Sequence, residues 1–317
     1  MDDTPHHRQT ADWDPPTPSE AELIAALAES EAELAAGLTV DGDALIRDLY
    51  ASAAQLEAIA AKKAELDALR VRIPNGTTNF DHSQDLELTY TSNAIEGNTL
   101  TAVETTLVIE QGITVAGKPL KDHLEAIDHF EAIGYVRALA RQKVPLTEMD
   151  VRSLHRLVML RSNPSIAGRY ADQGRYVLTD SGRHSFPSPA EIPALMGDFA
   201  QWLGTVADTP DTAFAAHRRL VDIHPFNDGN GRTARLLMNL VLIRGGYPPV
   251  AVRPEDRPAY IAVLQDAQAG GNAEGFDRLL YERLDATLGD YISASREALP
   301  VPRTTPPPNF EREIPPP

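Results

Sequence analysis

The chain has 317 residues, of which 42% are hydrophobic, enough for one large domain or two small ones with an ordinary buried core. Its 46 acidic and 29 basic residues give a formal net charge of −17, which argues against nucleic-acid binding because that requires basic patches. The lack of cysteine excludes disulfides and thiolate zinc sites, and no apolar run is long enough to span a bilayer. Because no signal-peptide pattern is present either, we expect a cytoplasmic protein without a membrane partner.

The first 76 residues divide into a leader and a helical region. Residues 1–16 are polar and contain three prolines, which is typical of a disordered leader. A capping signal at Thr17 is followed by Ala- and Glu-rich segments in which Leu and Ile recur at helical spacing. A break near residues 37–42 predicts a helical hairpin within residues 17–76, which would serve core packing or a homodimer interface.

Residues 77–297 are predicted to form a mostly helical core, so the expected fold class is all-α. Helical spacing is clearest in residues 120–139, 147–160, 189–203 and 212–223. The remaining residues, 298–317, are rich in proline without any apolar period, and we predict a disordered tail.

One segment of the core has a different pattern. Residues 175–179 are rich in β-favouring side chains, and the turn-like Asp180-Ser181-Gly182 separates them from residues 183–186. This pattern predicts a β-hairpin. Because a lone hairpin is barely stable in water, we expect it to pack on helices or to cover a site.

The most informative segment of the chain is residues 224–235, which an apolar helical run follows. A glycine-rich turn that opens into a helix presents free N–H groups and a positive dipole end, which is typical of a phosphate site. His224 is suited to be a general base for a hydroxyl nucleophile. Asp228 is the one carboxylate of the loop available to Mg²⁺.

The rest of the segment provides phosphate ligands. The backbone of residues 229–231 and the Asn230 side chain can supply amides to growing negative charge. Arg232 and Arg235 are three residues apart, hence on one helix face, and arginine is suited to grip phosphates. Each of these residues alone is more often structural, but together and in this order they favour a nucleotidyl-transfer site.

The segment resembles the signature His-Pro-Phe-x-Asp/Glu-Gly-Asn-Gly-Arg-x-x-Arg of the Fic (filamentation induced by cAMP) family at every specified position. The likeness extends from about residue 89 to residue 291. It implies a helical core with a β-hairpin flap over the active site. It further implies that the protein transfers AMP from ATP to a Tyr, Ser or Thr hydroxyl of a target protein with Mg²⁺ or Mn²⁺ and releases pyrophosphate.

The resemblance also implies roles for individual residues. His224 would take the hydroxyl proton, Asp228 would bind the metal ion, and Phe226 would pack beneath the loop. Arg232 would hold the β-phosphate and Arg235 the γ-phosphate. The α- and β-phosphates would lie in a cradle made by Gly229, Asn230 and Gly231. The flap strand and the adenine surroundings would be formed by Val177, Leu178, Thr179, Asp180, Tyr260 and Ile261.

A second segment, Ser92-Asn93-Ala94-Ile95-Glu96-Gly97, resembles the inhibitory helix of the same family, which we place at residues 89–97. Ser92 and Glu96 are four residues apart and share a helix face. Glu96 is expected to form an ion pair with Arg235, so that this cation is no longer available to the γ-phosphate. The alternative is that Glu96 is a surface carboxylate before a helix-ending glycine.

The leading prediction is therefore an adenylyltransferase that Glu96 inhibits and that modifies itself weakly. Three alternatives stay open: removal of AMP from a modified target by a water that Glu96 positions, transfer of UMP or phosphocholine, and a dormant module that binds nucleotide without turnover. His217 lies seven residues before His224, and we favour a packing role over a zinc pair because no further ligands are suitably spaced.

Overall fold

The computed structural model describes residues 42–74, 76–179 and 182–300. The predicted leader, residues 17–41 of the predicted hairpin, Asp180 and the tail beyond residue 300 lie outside the described residues. Backbone contacts divide the chain into the units Met1–Ala54 and Gln55–Pro317. The first unit is described only by the helical backbone from Gly42 onward.

The described residues form helices and one small sheet. The strands, β1 (Tyr176–Thr179) and β2 (Gly182–Ser185), pair antiparallel. This confirms the all-α class with a single β-hairpin. The helices are α1 (Gly42–Arg72), α2 (Thr78–Ile95), α3 (Ala102–Gln111), α4 (Leu120–Ala140), α5 (Glu148–Val158), α6 (Ile192–Thr205), α7 (Pro210–Ile223), α8 (Asn230–Arg244), α9 (Arg257–Gln268) and α10 (Glu274–Glu297).

Several helix boundaries differ from the predicted ones. The segment predicted as an inhibitory helix at 89–97 is the last part of the longer α2, and Glu96 follows its end as the C-cap residue. Helix α6 begins at Ile192 and not at 189; a turn precedes it, in which the Glu191 N–H donates to the Ser188 carbonyl at 3.0 Å. Helices α3, α9 and α10 lie within the core that was predicted to be mostly helical, but they were not predicted individually.

Helix α8 lies at the centre of the fold. It packs against α4, α5 and α7, and nearly all of its side chains are buried. A helix that is apolar all round is a core helix, which accounts for the run Leu236–Leu242. Because its N-terminal turn carries Arg232 and Arg235, the core itself fixes these two cations in place.

Helix α1, from Gln55 onward, packs on the same core. Ile59, Leu66 and Leu69 are buried, and Lys62 forms an ion pair of 2.7 Å with Asp285 on α10. Among the described helices, none combines the length and the apolar character needed to cross a membrane.

Candidate active site

The loop between α7 and α8 begins with an unusual backbone. His224 ends α7 in the left-handed conformation, with φ 48° and ψ 56°, and its N–H donates to the Leu220 carbonyl. The Ala171 N–H donates to the Pro225 carbonyl at 2.9 Å and ties the loop to the segment before the hairpin. Such a conformation is uncommon for a residue with a side chain and persists only where the surroundings fix it.

Two stacked rings support the loop from below. Phe226 is fully buried and stacks on His155 of α5, with ring centroids 3.7 Å apart and planes 1° apart. The Gly168 N–H donates to Nδ1 of His155 at 3.0 Å, so Nε2 carries the proton and donates to the Asp228 carbonyl at 2.9 Å. Burial lowers the pKa of His155 to about 4, so the ring is neutral at pH 7.

His155 was not predicted as a site residue. It lies 69 residues before His224 in a helix with no chemical motif, and only the fold brings it to the loop.

The Asn230 side chain binds the backbone of its own loop. Its Oδ1 accepts from the Phe226 N–H at 3.0 Å and its Nδ2 donates to the Phe226 carbonyl at 2.8 Å, so the amide closes the loop. The first helical hydrogen bond of α8 runs from the Thr233 N–H to the Gly229 carbonyl. The N–H groups of residues 230–232 therefore precede the helical ladder, as an anion site requires.

Glu96 lies directly against this helix start. A methyl group at Gly231 would collide with Oε1 of Glu96, so the carboxylate lies directly over the backbone of this residue. The carboxylate thus occupies the end of α8 where the helix dipole favours negative charge.

Arg235 is held by two residues from the end of α2. Its Nη2 donates to Oε1 of Glu96 at 2.7 Å and to the Ser92 carbonyl at 2.9 Å, and its Nε donates to the Ser92 hydroxyl at 3.0 Å. Arg235 is 5% exposed, whereas the Glu96 side chain is 38% exposed toward the cleft. Burial raises the pKa of Glu96, but the charge and hydrogen bond of Arg235 outweigh it, so the pKa lies below its usual value.

Arg232 is buried beside two carboxylates. It is 2% exposed, its Nη1 is 3.1 Å from Oε1 of Glu125, and its Nη2 is 3.6 Å from Oδ1 of Asp228. Oε2 of Glu125 in turn accepts from Nδ2 of Asn98, two residues after Glu96. Glu125 was not predicted, because a buried carboxylate inside α4 gives no local signal.

Asp228 is the acidic residue of the loop itself. Its side chain is 49% exposed, and its Oδ1 accepts from the Gly229 N–H at 2.6 Å. No cluster of three or more metal-ligating side chains occurs within the described ranges. A metal ion at Asp228 would therefore need ligands from a bound nucleotide, which matches the preference of Mg²⁺ for one carboxylate plus phosphate oxygens and waters.

An open cleft of about 200 Å³ lies beside the loop. Val177 of β1 and Ile261 of α9 line it, as does Tyr260, which is 2% exposed and whose hydroxyl lies 2.7 Å from Nε2 of His217. His217 is therefore a packing residue that contacts Tyr260. Leu178 and Thr179 lie on β1, but their side chains are outside the described part of the chain, as is Asp180.

The imidazole of His224 also lines the cleft. Its Nδ1 is 3.3 Å from the Val221 carbonyl, and one face of the ring stacks on Phe186. Burial lowers the pKa of His224 to about 4, and the Arg175 guanidinium adds to the shift. The ring is therefore neutral at pH 7 and able to accept a proton.

Comparison with known proteins gives consistent matches. Residues 145–242 match the model of the Fic/DOC family. The "Protein adenylyltransferase Fic" of Nematostella vectensis is 37% identical over 211 residues, 65% of this chain and 48% of that protein. Its counterpart in Drosophila willistoni is 34% identical over 252 residues, 77% of this chain and 48% of that protein. The chain thus spans about half the length of the curated relatives it matches.

Solved structures show the same relationship. The crystal structure of a Fic domain containing signaling protein from Bacteroides thetaiotaomicron has a TM-score of 0.69 and 32% identity, with 76% of this chain and 97% of that chain covered. Fic-1 (residues 134–508) from C. elegans has a TM-score of 0.67 and 29% identity, with 80% and 77% covered.

Proposed function

This chain belongs to the Fic/DOC family, and on that premise we propose that it is a protein adenylyltransferase restrained by Glu96. The reaction would transfer AMP from ATP to a Tyr, Ser or Thr hydroxyl of a target protein and release pyrophosphate. Supporting it are the names of the curated relatives, protein adenylyltransferase Fic, and the arrangement of His224, the α8 N-terminus and Arg235 beside one cleft.

The proposed chemistry assigns separate tasks to the loop. Neutral His224 accepts the proton of the attacking hydroxyl. The N–H groups of residues 230–232 stabilise the charge that grows on the transferred phosphate. Asp228 would hold Mg²⁺ or Mn²⁺, which would neutralise phosphate charge when bound. The flap strand β1 would align the target chain, with Val177 bordering the nucleotide.

The contact between Glu96 and Arg235 carries the proposed autoinhibition. The Glu96 carboxylate accepts a hydrogen bond from the Arg235 guanidinium and fills the space above Gly231. A terminal phosphate would need the same cation and the same space, and two negative groups there would repel each other. ATP could then bind only with its phosphates displaced from the productive pose.

The decisive experiment compares wild-type protein with the Glu96→Gly variant in labelled ATP and Mg²⁺. A charge-assisted hydrogen bond is worth roughly 1.5–3 kcal/mol, so release of Arg235 should raise self-modification roughly 10- to 100-fold. Adding His224→Ala should remove the activity, because a general base contributes roughly 10²- to 10⁴-fold.

Glu110→Gly is a matched control. It removes a glutamate from the end of α3, where the side chain is exposed and pairs with His82. Its rate should equal that of the wild type. If Glu96→Gly incorporates no label with Mg²⁺ or Mn²⁺, the proposed function is wrong. Parallel reactions with labelled UTP and CDP-choline separate transfer of AMP from transfer of UMP or phosphocholine.

One observation favours a second candidate activity. The Glu96 carboxylate is open to the cleft, where it could position a water for removal of AMP from a modified target. AMP release from a modified protein that Glu96→Gly abolishes would identify this reverse reaction. If the wild type and Glu96→Gly both bind nucleotide and neither turns it over, the protein is instead a dormant binding module.

A further inference from the structure

The phenyl ring of Phe186 covers one face of the His224 imidazole. The ring centroids are 3.8 Å apart and the planes are 13° apart. Phe186 is 8% exposed and lines the cleft beside His224. Rotation of the imidazole about χ2 would drive its edge into the phenyl ring, so the stack restricts a torsion that has only broad intrinsic preferences.

Hydrogen bonding restrains His224 only weakly. The distance of 3.3 Å from Nδ1 to the Val221 carbonyl exceeds the usual N–H···O distance of about 2.9–3.0 Å. His155, by comparison, is fixed by two hydrogen bonds of 2.9 and 3.0 Å as well as by its stack on Phe226. The left-handed backbone of His224 fixes the direction of its Cα–Cβ bond, whereas the orientation of the ring plane depends on the neighbouring side chains.

Phe186 is itself firmly held at the base of the hairpin. Its N–H donates to the Arg175 carbonyl at 3.1 Å, and Nη2 of Arg175 donates to the Pro187 carbonyl at 2.7 Å. His184, two residues earlier and hence on the same face of the strand, packs edge-on against the Phe186 ring at 5.2 Å. The phenyl ring is therefore a rigid surface on which the imidazole can rest.

We propose that Phe186 is a positioning residue for the transfer reaction. Its ring holds the His224 imidazole in the orientation that turns Nδ1 toward Val221 and leaves Nε2 facing the cleft for the attacking hydroxyl. Phe186 acts only through His224. The inference rests on the proposed function for its kinetic effect, whereas the state of the imidazole can be measured without turnover.

The same ring keeps water from His224. The charged groups that act on the imidazole are Arg175 beside the hairpin, Glu96 after α2 and Asp228 in the loop. Burial is the largest influence and lowers the pKa of His224 to about 4. Removal of the phenyl ring admits water, so the pKa should rise toward the ordinary value of ~6.5.

The test uses Phe186→Ala, Phe186→Leu and Phe186→Tyr, each in the active Glu96→Gly protein. Alanine and leucine remove the flat face and should lower kcat by about tenfold or more, with KM for ATP little changed. Tyrosine keeps the flat face and should restore the parent kcat. Leu120→Ala is the control, because it removes an apolar side chain that is 65% exposed at the start of α4 and does not line the cleft; its kcat should match the parent.

Two pH measurements separate positioning from simple packing. Between pH 8 and pH 6 the parent should keep its rate, whereas Phe186→Ala should lose half or more as His224 protonates. NMR titration of the His224 imidazole, assigned with His224→Ala, should show the raised pKa in Phe186→Ala and Phe186→Leu but not in Phe186→Tyr.

The opposite outcomes are equally clear. A Phe186→Leu protein with parent kcat and an unchanged His224 pKa would show that Phe186 only fills space, and the proposal would be wrong. If no parent protein modifies any target while the titration still shows the Phe186-dependent shift, the proposed function fails and the contact of Phe186 with the imidazole stands.

Discussion

At the scale of one residue, His129 is a buried polar side chain that lowers the stability of the folded protein. It lies on α4, is 2% exposed, and neither ring nitrogen has a hydrogen-bond partner among the described residues. Its pKa is lowered to about 3, mainly by burial and further by Arg235 and Arg232. An unsatisfied buried polar group costs stability, so the wild-type protein is not at its optimum here.

We expect His129→Leu to raise the free energy of unfolding at pH 7 by about 1–2 kcal/mol, because it removes unpaired polar atoms at similar volume. The measurement is the urea unfolding transition. His155→Leu is the matched control: this equally buried histidine makes two hydrogen bonds, so its loss should destabilise the protein. Destabilisation by both substitutions would contradict the account of His129.

At the scale of elements, the junction after α2 connects inhibition to the core. Gly97 follows Glu96 with φ 94°, and the next residue, Asn98, donates to the Asp122 carbonyl and to Glu125. The Arg257 guanidinium donates to the Ile95 carbonyl at 2.8 Å and holds the helix end from α9. The position of Glu96 is thus set by contacts on both sides of it.

Gly97→Ala should disturb this junction through backbone strain alone, because a methyl group there meets nothing within 4 Å. We expect a loss of stability of about 1–2 kcal/mol and, as the turn relaxes, a higher rate of self-modification. Gly134→Ala places a methyl group in equally open space inside α4, where alanine favours helix by roughly 0.5–1 kcal/mol. Urea unfolding and labelled ATP report both effects; equal behaviour of the two variants would refute the strain argument.

At the scale of the whole molecule, buried histidines on separate elements make stability depend on pH. Burial lowers the pKa of His129 to about 3, of His155 and His224 to about 4, and that of His217 well below its ordinary value. In the unfolded chain these groups protonate near ~6.5. The unfolded state therefore binds more protons as the pH falls below that value, and the folded state loses stability.

Each such histidine adds a slope of up to about 1.4 kcal/mol per pH unit, so the free energy of unfolding should fall steeply between pH 6.5 and pH 5. Carboxyls whose pKa burial raises, such as Asp85 and Asp277, act in the opposite direction at the acid end of this window. Urea titrations at several pH values test the slope. It should be shallower in His129→Leu, and a flat profile in the wild type would contradict the neutral state of these rings.

The site residues that could be predicted are those that lie close together in the sequence. The residues of the 224–235 loop are contiguous, so their order alone indicated a phosphate site, and the family resemblance supplied the pairing of Glu96 with Arg235. His155, Phe186 and Glu125 lie in separate elements without chemical motifs. Their contribution arises only when α4 and α5 pack against α8 and Phe186, after the hairpin, stacks on His224.

By itself, the sequence determined the fold class and the family and led to the chemistry proposed for the loop, because helical periodicity and a contiguous motif act over short distances. The tertiary structure decided how that chemistry is held. It turned the Asn230 amide toward Phe226, buried Arg232 against Glu125 and extended α2 back to Thr78. Burial and cross-element contacts set these outcomes and the charge state of His224, and neither is encoded in any local stretch of residues. The cellular compartment stays a prediction.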